Sequence, residues 1–296
     1  MKILQIRRGD ISLNRAIVQF ALAAWSLVCI FPIYWVLIAS FKDANAIESP
    51  RTYLPFVDFM PSLEAWRFIL LDAKENLVPR AFNSLIIGVC STLTTLVIGA
   101  MAAYSVTRFT HRISGFALMA ILLGTRVLPP VVIALPLYVM AQASGMLDSL
   151  SMLILIYTAI NLPIAVWMMT SVFGERATDQ EDAASLDGAS HIYILFFILL
   201  PMVRSAAITV GLLIFIQCWN EYLFAAYLTS DHALTIPPWM VGQVSIKEAQ
   251  TGGGSEDLAH LAAATVVMAL PVLLLTIIAA RSMKRLLQPS LFRKSF

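Results

Sequence analysis

Long apolar runs bounded by charged residues set the pattern of this chain. Between Arg15 and Lys42 lie 26 uncharged residues, between Arg80 and Arg108 27, between Arg126 and Asp148 21, between Asp148 and Glu175 26, and between Asp257 and Arg281 23. A helix crosses the hydrocarbon of a bilayer with about 20 mostly apolar residues, so each run predicts a span. A sixth is expected over Leu200–Leu228, although Arg204 lies near its start and Glu221 near its other end. The third span is expected to begin near Ile113, ahead of its charge-free run, which places Arg126 inside it. The fold class predicted is all-α, a polytopic membrane protein with one transmembrane domain over residues 1–296. Its spans lie at about 14–41, 80–107, 113–141, 149–173, 203–229 and 258–281, with a longer connection at 174–202.

Composition agrees and removes whole classes of function. Apolar residues make up 59% and charged ones 13%, with a mean hydropathy of +0.81. Soluble domains carry about 25% charged residues, so a water-soluble enzyme is excluded. A net charge of +2, with the basic residues scattered, indicates no nucleic-acid partner. Cys29, Cys90 and Cys218 lie far apart in apolar stretches and are read as small buried hydrophobes, not as a zinc or disulfide framework. The first apolar run is much longer than a signal-peptide core and is expected to stay as an anchor.

Basic residues give the orientation. With the N-terminus inside, 13 Lys and Arg fall in cytoplasmic segments and 6 outside, most of those in the long first loop, and Arg126 remains at membrane depth. Both termini are therefore expected to be cytoplasmic. Gly252, Gly253 and Gly254 lie in the second external segment and read as a flexible loop, because no Lys-Ser or Lys-Thr follows and no strand precedes them.

One inner connection departs from the basic pattern. From Phe173 to Arg204 it carries Glu175, Asp179, Glu181, Asp182 and Asp187 against Arg176 and Arg204. Thr178 and Glu181 have the spacing of a capping box, and Gly188 suits a left-handed helix stop. Ser190 suits the cap of a second helix running to Leu200, where Pro201 ends or kinks it. Periodicity leaves two readings open, a compact helix-turn-helix at the membrane surface and a solvated acidic loop.

Asp182-Ala183-Ala184, Gly188, Ile198 and Leu200-Pro201 reproduce the spacing of the EAA motif, and here the chain resembles the permease subunits of bacterial ABC importers. Phe31-Pro32-Ile33-Tyr34-Trp35, Ser40-Phe41-Lys42, Asn83-Ser84, Ala102 to Arg108, Leu128-Pro129-Pro130, Pro136-Leu137-Tyr138, Leu147-Asp148 and Trp219-Asn220-Glu221 are similar to its MalG-like carbohydrate branch. There are departures. Asp182 stands where the motif usually has Glu, no Pro lies between Gly174 and Gln180, and the end Leu291 to Phe296 lacks the usual Gly-Ala-Val-Lys-Gly-like sequence, so no ATPase contact is carried over to it.

The resemblance implies an ATP-driven importer that moves a sugar or sugar derivative by alternating access through the cell inner membrane. It implies a second homologous permease subunit, a dimer of ATP-binding subunits and a periplasmic or extracellular solute-binding protein as partners. No cofactor belongs to this chain, since ATP and Mg are held by the ATPase, and the chain is not itself an enzyme. Docking to the ATPase falls to Glu181, Asp182, Ala183, Ala184, Asp187 and Gly188, where carboxylates can pair with basic groups and small residues allow close approach.

Polar residues within spans mark the candidate solute path, because burying them in lipid is costly. They are Arg126, Asn161, Gln217, Asn220, Glu221 and Tyr222, with Tyr157 and Tyr138 as candidate sugar-stacking rings or as packing and interface aromatics. Asn220 and Glu221 serve equally well as structural hydrogen-bonding groups. Arg126 is read either as paired with Glu221 or the second permease, or as a contact for a polar or anionic group of the solute. Two other classes remain. An ion-coupled secondary transporter or channel would show broken helices in corresponding halves, not evident in the sequence. A membrane-embedded enzyme would need a catalytic cluster, whereas His111, His191, His232 and His260 are dispersed.

Overall fold

A computed structural model of the chain describes residues 8–49, 52–72, 76–109, 115–174, 179–242 and 255–291. Thr178 of the expected capping box, the Gly252 to Gly254 run and the tail beyond Leu291 lie outside them, as do several orienting basic residues, among them Arg7, Arg112, Arg176 and Lys247. The described residues are mostly helical, joined by turns and irregular segments, with one isolated bridge between Pro55 and Phe59. Two compact units emerge, one from residues 1–76 and 243–267, the other from 77–242 and 268–296.

In the first unit, α1 (Arg8–Ala39) carries its apolar side chains outward, Phe20 and Trp25 included. Such a surface is stable only against lipid or another apolar partner. Cys29 sits on it and is exposed, Cys90 is half-buried and Cys218 alone is buried, so sequence neighbours that are apolar do not guarantee burial within this chain. At the end of α1 the chain folds back. Lys42 is buried, donating to Thr52 Oγ1 at 2.9 Å and lying 4.3 Å from the centre of the Trp35 ring. Asp43 caps α2 (Ala44–Glu48) by accepting from the Ala46 amide. A further helix, α3 (Glu64–Leu71), stacks Phe68 on His260.

The second unit is built on α4 (Leu77–Phe109) against α7 (Leu150–Gly174). Their approach is set by small residues: a methyl at Gly99 would lie 3.0 Å from Ala165 Cβ. On its other side α4 meets α10 (Arg204–Trp219), where Gly88 faces the Phe215 ring and Gly211 faces Leu96. Trp219 closes the unit by donating its indole N–H to the Met268 carbonyl of α12 (Ser255–Leu291) at 2.9 Å.

Two sharp breaks occur next to prolines, one inside the span expected over 113–141 and one where the 174–202 connection meets the next span. Between α5 (Gly115–Gly124) and α6 (Pro130–Ala143) lie a 3-10 turn at Thr125–Val127 and an extended Leu128, the conformation favoured before a proline. The helical segments on either side meet at 87°. The second break follows α9 (His191–Met202), which contains a π-helical stretch at Ile194–Leu199 just before the amide-less Pro201. It turns through 89° at Val203 into α10. The break at 125–128 corrects the single helix expected over 113–141, whereas the one at Val203 falls where Pro201 is expected to end or kink the helix capped by Ser190. A shorter interruption at 220–222 separates α10 from α11 (Leu223–Leu228).

Asp148, at a positive φ of 56°, organises one end of this unit. Its carboxylate accepts from the amides of Ser230, Asp231, His232 and Ala233 and from the Ser230 hydroxyl, at 3.0–3.1 Å. Burial pushes the Asp148 carboxyl up, but the amides of Ala233, His232 and Ser230 outweigh it and hold the group below the ordinary carboxylate range. From α4, Asn83 donates to the His232 and Leu234 carbonyls and Ser84 accepts from the Ile236 amide, fixing the same segment.

Candidate coupling surface and transmembrane cavity

The acidic connection is a helix-turn-helix, not a solvated loop. Its first limb, α8 (Asp179–Leu186), ends in a Schellman arrangement: the Ala189 amide donates to Ala184 O and the Gly188 amide to Ser185 O, each at 3.0 Å. Gly188 has φ +84°, which a residue without Cβ adopts at little cost. Ser190 then caps α9, accepting from the Tyr193 amide. Asp182, Ala183, Asp187 and Gly188 are exposed, Ala184 is half-buried, and Leu186 is 90% exposed. The loop therefore presents two carboxylates and a small apolar surface outward.

Glu181 faces the other way. It is 5% exposed and takes two charge-assisted hydrogen bonds from Arg108 at the end of α4. Arg108 also donates to the carbonyl of Phe173 near the end of α7, at 3.4 Å. One guanidinium thus ties three helices together, and Glu181 is an inward anchor where the sequence placed it among docking carboxylates. The same last turn of α4 holds the second limb, since Phe109 meets the His191 ring edge-on with centroids 4.9 Å apart and Tyr104 Oη lies 3.5 Å from His191 Nδ1. Sequence reading assigned Arg108 only to orientation. Its partner is 73 positions away, and no local pattern links them.

The polar residues expected in the spans divide into two layers around a cavity of about 910 Å³. Arg126, Gln217 and Glu221 line it, with Pro129, Pro130 and Pro163 marking the bent backbone and Leu128, Val131 and Ile156 among its apolar wall. Arg126 is exposed to it. Its Nε and Nη2 donate to the Ile160 carbonyl at 3.2 and 3.0 Å, Nη2 to Asn161 Oδ1 at 3.0 Å, and both Nη groups to Gln217 Oε1 at 3.3 Å. Pro163 lacks an amide proton, so the α7 ladder is interrupted next to the carbonyl that receives Arg126.

Glu221 is not the partner of Arg126. Its Oε2 accepts from Tyr157 Oη at 2.6 Å and the Ala225 amide at 3.1 Å, and its Oε1 from the Phe224 amide at 2.9 Å, which caps α11. Tyr157 is 2% exposed, so its ring offers no face for a sugar. Tyr138 packs half-buried against the core. Asn161 is buried behind Arg126, bonded to the Tyr157 carbonyl and Cys218 Sγ. Asn220 donates to Ile216 O within its own helix, and Tyr222 is exposed at the break. Among the described residues no group of His, Cys, Asp and Glu could hold a metal ion.

Residues 95–292 match the family model of the binding-protein-dependent transport system inner membrane component. The chain is 31% identical over 269 residues to the trehalose/maltose transport system permease protein MalG of Thermococcus litoralis, covering 90% of this chain and 92% of that one. It is 32% identical over 265 residues to the diacetylchitobiose uptake system permease protein NgcG of Streptomyces coelicolor, covering 88% and 82%. Its fold is similar to that of a bacterial ABC transporter involved in the import of the acidic polysaccharide alginate, with a TM-score of 0.72 at 20% identity over 95% of this chain and 99% of that one. The apolar helices and these relatives make it a multi-pass membrane protein with transport permeases, not enzymes, as its kin. The chain belongs to the family of binding-protein-dependent transport system inner membrane components.

Proposed function

We propose that the chain is one transmembrane permease of an ATP-driven importer for a sugar or sugar derivative in the bacterial inner membrane, with both termini cytoplasmic. It pairs with a second permease, receives solute from an external binding protein, and passes it inward by alternating access. A dimer of ATPase subunits binds ATP and Mg and drives the cycle. The sugar class is supported by the relatives, which carry trehalose, maltose and diacetylchitobiose in their names.

The observation that carries this reading is the outward face of α8. Asp182 and Asp187 suit basic groups of a partner, Ala183 and Gly188 allow its backbone to approach, and Leu186 is a free apolar knob. Behind them Glu181 and Arg108 fasten the helix to α4, so a displacement of the docked partner is transmitted to the spans. Broken helices also occur in ion-coupled transporters, so the two breaks do not choose between the classes and the outward face of α8 carries the choice.

Gly188→Asp tests the reading in proteoliposomes carrying the whole complex. ATP hydrolysis is expected to continue while uptake of the transported sugar is lost, with membrane insertion intact. Normal uptake by this variant would remove the coupling role.

A further inference from the structure

We propose that Arg126 forms an oxyanion subsite in the transmembrane cavity, so that the saccharide passing through it bears a carboxylate. This rests on the importer reading above and names the chemistry of its solute. Four observations converge. Arg126 is exposed to the cavity, and every acceptor that holds it, the Ile160 carbonyl, Asn161 and Gln217, is neutral. These contacts orient the guanidinium without balancing its charge, and among the described residues Nη1 has one N–H that they do not engage.

Glu221, the carboxylate on the same wall, is turned to other donors and makes no hydrogen bond or ion pair with Arg126 among the described residues. Its two oxygens take the Tyr157 hydroxyl and the amides of Phe224 and Ala225, three donors supplied by α7 and α11. The rest of the lining is mainly apolar, a setting in which a guanidinium charge held only by neutral acceptors favours a counter-anion or water. Finally, Arg126 sits on the 3-10 turn between two helices that meet at 87°, and non-helical backbone at this depth is tolerated where it lines a cavity. Neutral hydroxyls can be held by Asn, Gln or carbonyls. A fixed planar cation is matched by a carboxylate.

The test uses the purified complex of this chain with its co-expressed partner subunits, without the solute-binding protein. Calorimetry would measure a glucose disaccharide and the glucuronic-acid disaccharide of the same linkage. The acidic one should bind about tenfold or more tightly, the size of one charge-assisted contact. Arg126→Gln should erase that preference. Gln217→Glu, which leaves Arg126 in place but sets a carboxylate 3.3 Å from it, should erase it too, and Arg126→Lys should keep part. Equal binding of both sugars by the unaltered complex, or full preference in Gln217→Glu, overturns the subsite. Absence of ATP-driven uptake of any saccharide by the complex in proteoliposomes with its solute-binding protein restored overturns the importer reading, whereas ATP-driven uptake there together with equal calorimetric binding overturns the subsite alone.

Discussion

Arg108 grips Glu181 from 73 residues away, Nη2 to Oε1 at 2.6 Å and Nε to Oε2 at 2.9 Å, with side chains only 18% and 7% exposed. This fork, two parallel N–H···O bonds, resists rotation as well as separation. Removing one partner of a pair this buried leaves an uncompensated charge, at a cost of about 3–5 kcal/mol. Glu181→Gln and Arg108→Gln are each expected to lower the melting temperature of the detergent-solubilised complex and to reduce transport per ATP hydrolysed. Arg108→Met with Glu181→Leu should recover much of the melting temperature. If it also restores coupling, a tight apolar joint suffices and the charges themselves are not required.

The left-handed turn at Gly188 separates two effects that a single substitution confounds. A Cβ at Gly188 would meet nothing within 4 Å in this chain, so the intrinsic cost is backbone strain, roughly 1–2 kcal/mol for most residues and less for Asn. Gly188→Asn should therefore leave the chain's own stability nearly unchanged. Loss of sugar uptake in that variant, with ATP hydrolysis retained, would place the clash in the partner. Normal uptake would mean the partner leaves room for a side chain there.

Distances at the small-residue contacts predict an order of tolerance that is the reverse of their lengths. A methyl at Gly211 would lie 2.8 Å from Leu96 Cδ1, the end of a flexible side chain that can turn aside. A methyl at Gly99 would lie 3.0 Å from Ala165 Cβ and 3.7 Å from the Ala165 carbonyl carbon, which cannot. Gly99→Ala should cost about 1–3 kcal/mol by overpacking, and Gly211→Ala distinctly less. Thermal unfolding of the two variants side by side reads the difference directly, and an equal or larger loss for Gly211→Ala would contradict it.

Asp148 has a sign that can be checked against pH. Its folded-state carboxyl lies below the ordinary aspartate value of about 3.9, so its contribution is present above that value and is lost as pH falls through the lower, folded one. Asp148→Asn is accordingly expected to reduce the melting temperature by the same amount at pH 5 and pH 8. A difference that shrinks at pH 5 would show that the folded-state carboxyl titrates near or above pH 5, above the ordinary aspartate value, and would contradict the lowering.

Legibility in the sequence followed the range of the interaction. Gly188 and Ser190 act on amides within a few residues, so the stop and the cap could be read from their neighbours. Four long apolar helices, over Ile17–Ala39, Leu77–Phe109, Leu150–Gly174 and Leu258–Ile277, were legible because charge is absent along the apolar run within each, whatever the tertiary contacts. The inward turn of Glu181 and the pairing of Glu221 with Tyr157, 64 residues apart, depend on which helix faces which, and residue type carries no record of that. The break at Leu128 lies between these cases: Pro129 and Pro130 are visible, but a proline in a span either kinks or ends a helix, and packing decides.

The corner at Val203 has a mechanical meaning. Because α9 and α10 meet at 89°, a push delivered along the axis of α9 arrives at Arg204 broadside. It would reach α10 as a turning moment instead of a thrust along its length. Under the proposed coupling, a straight rod from loop to span would slide as a piston, whereas this elbow would work as a crank.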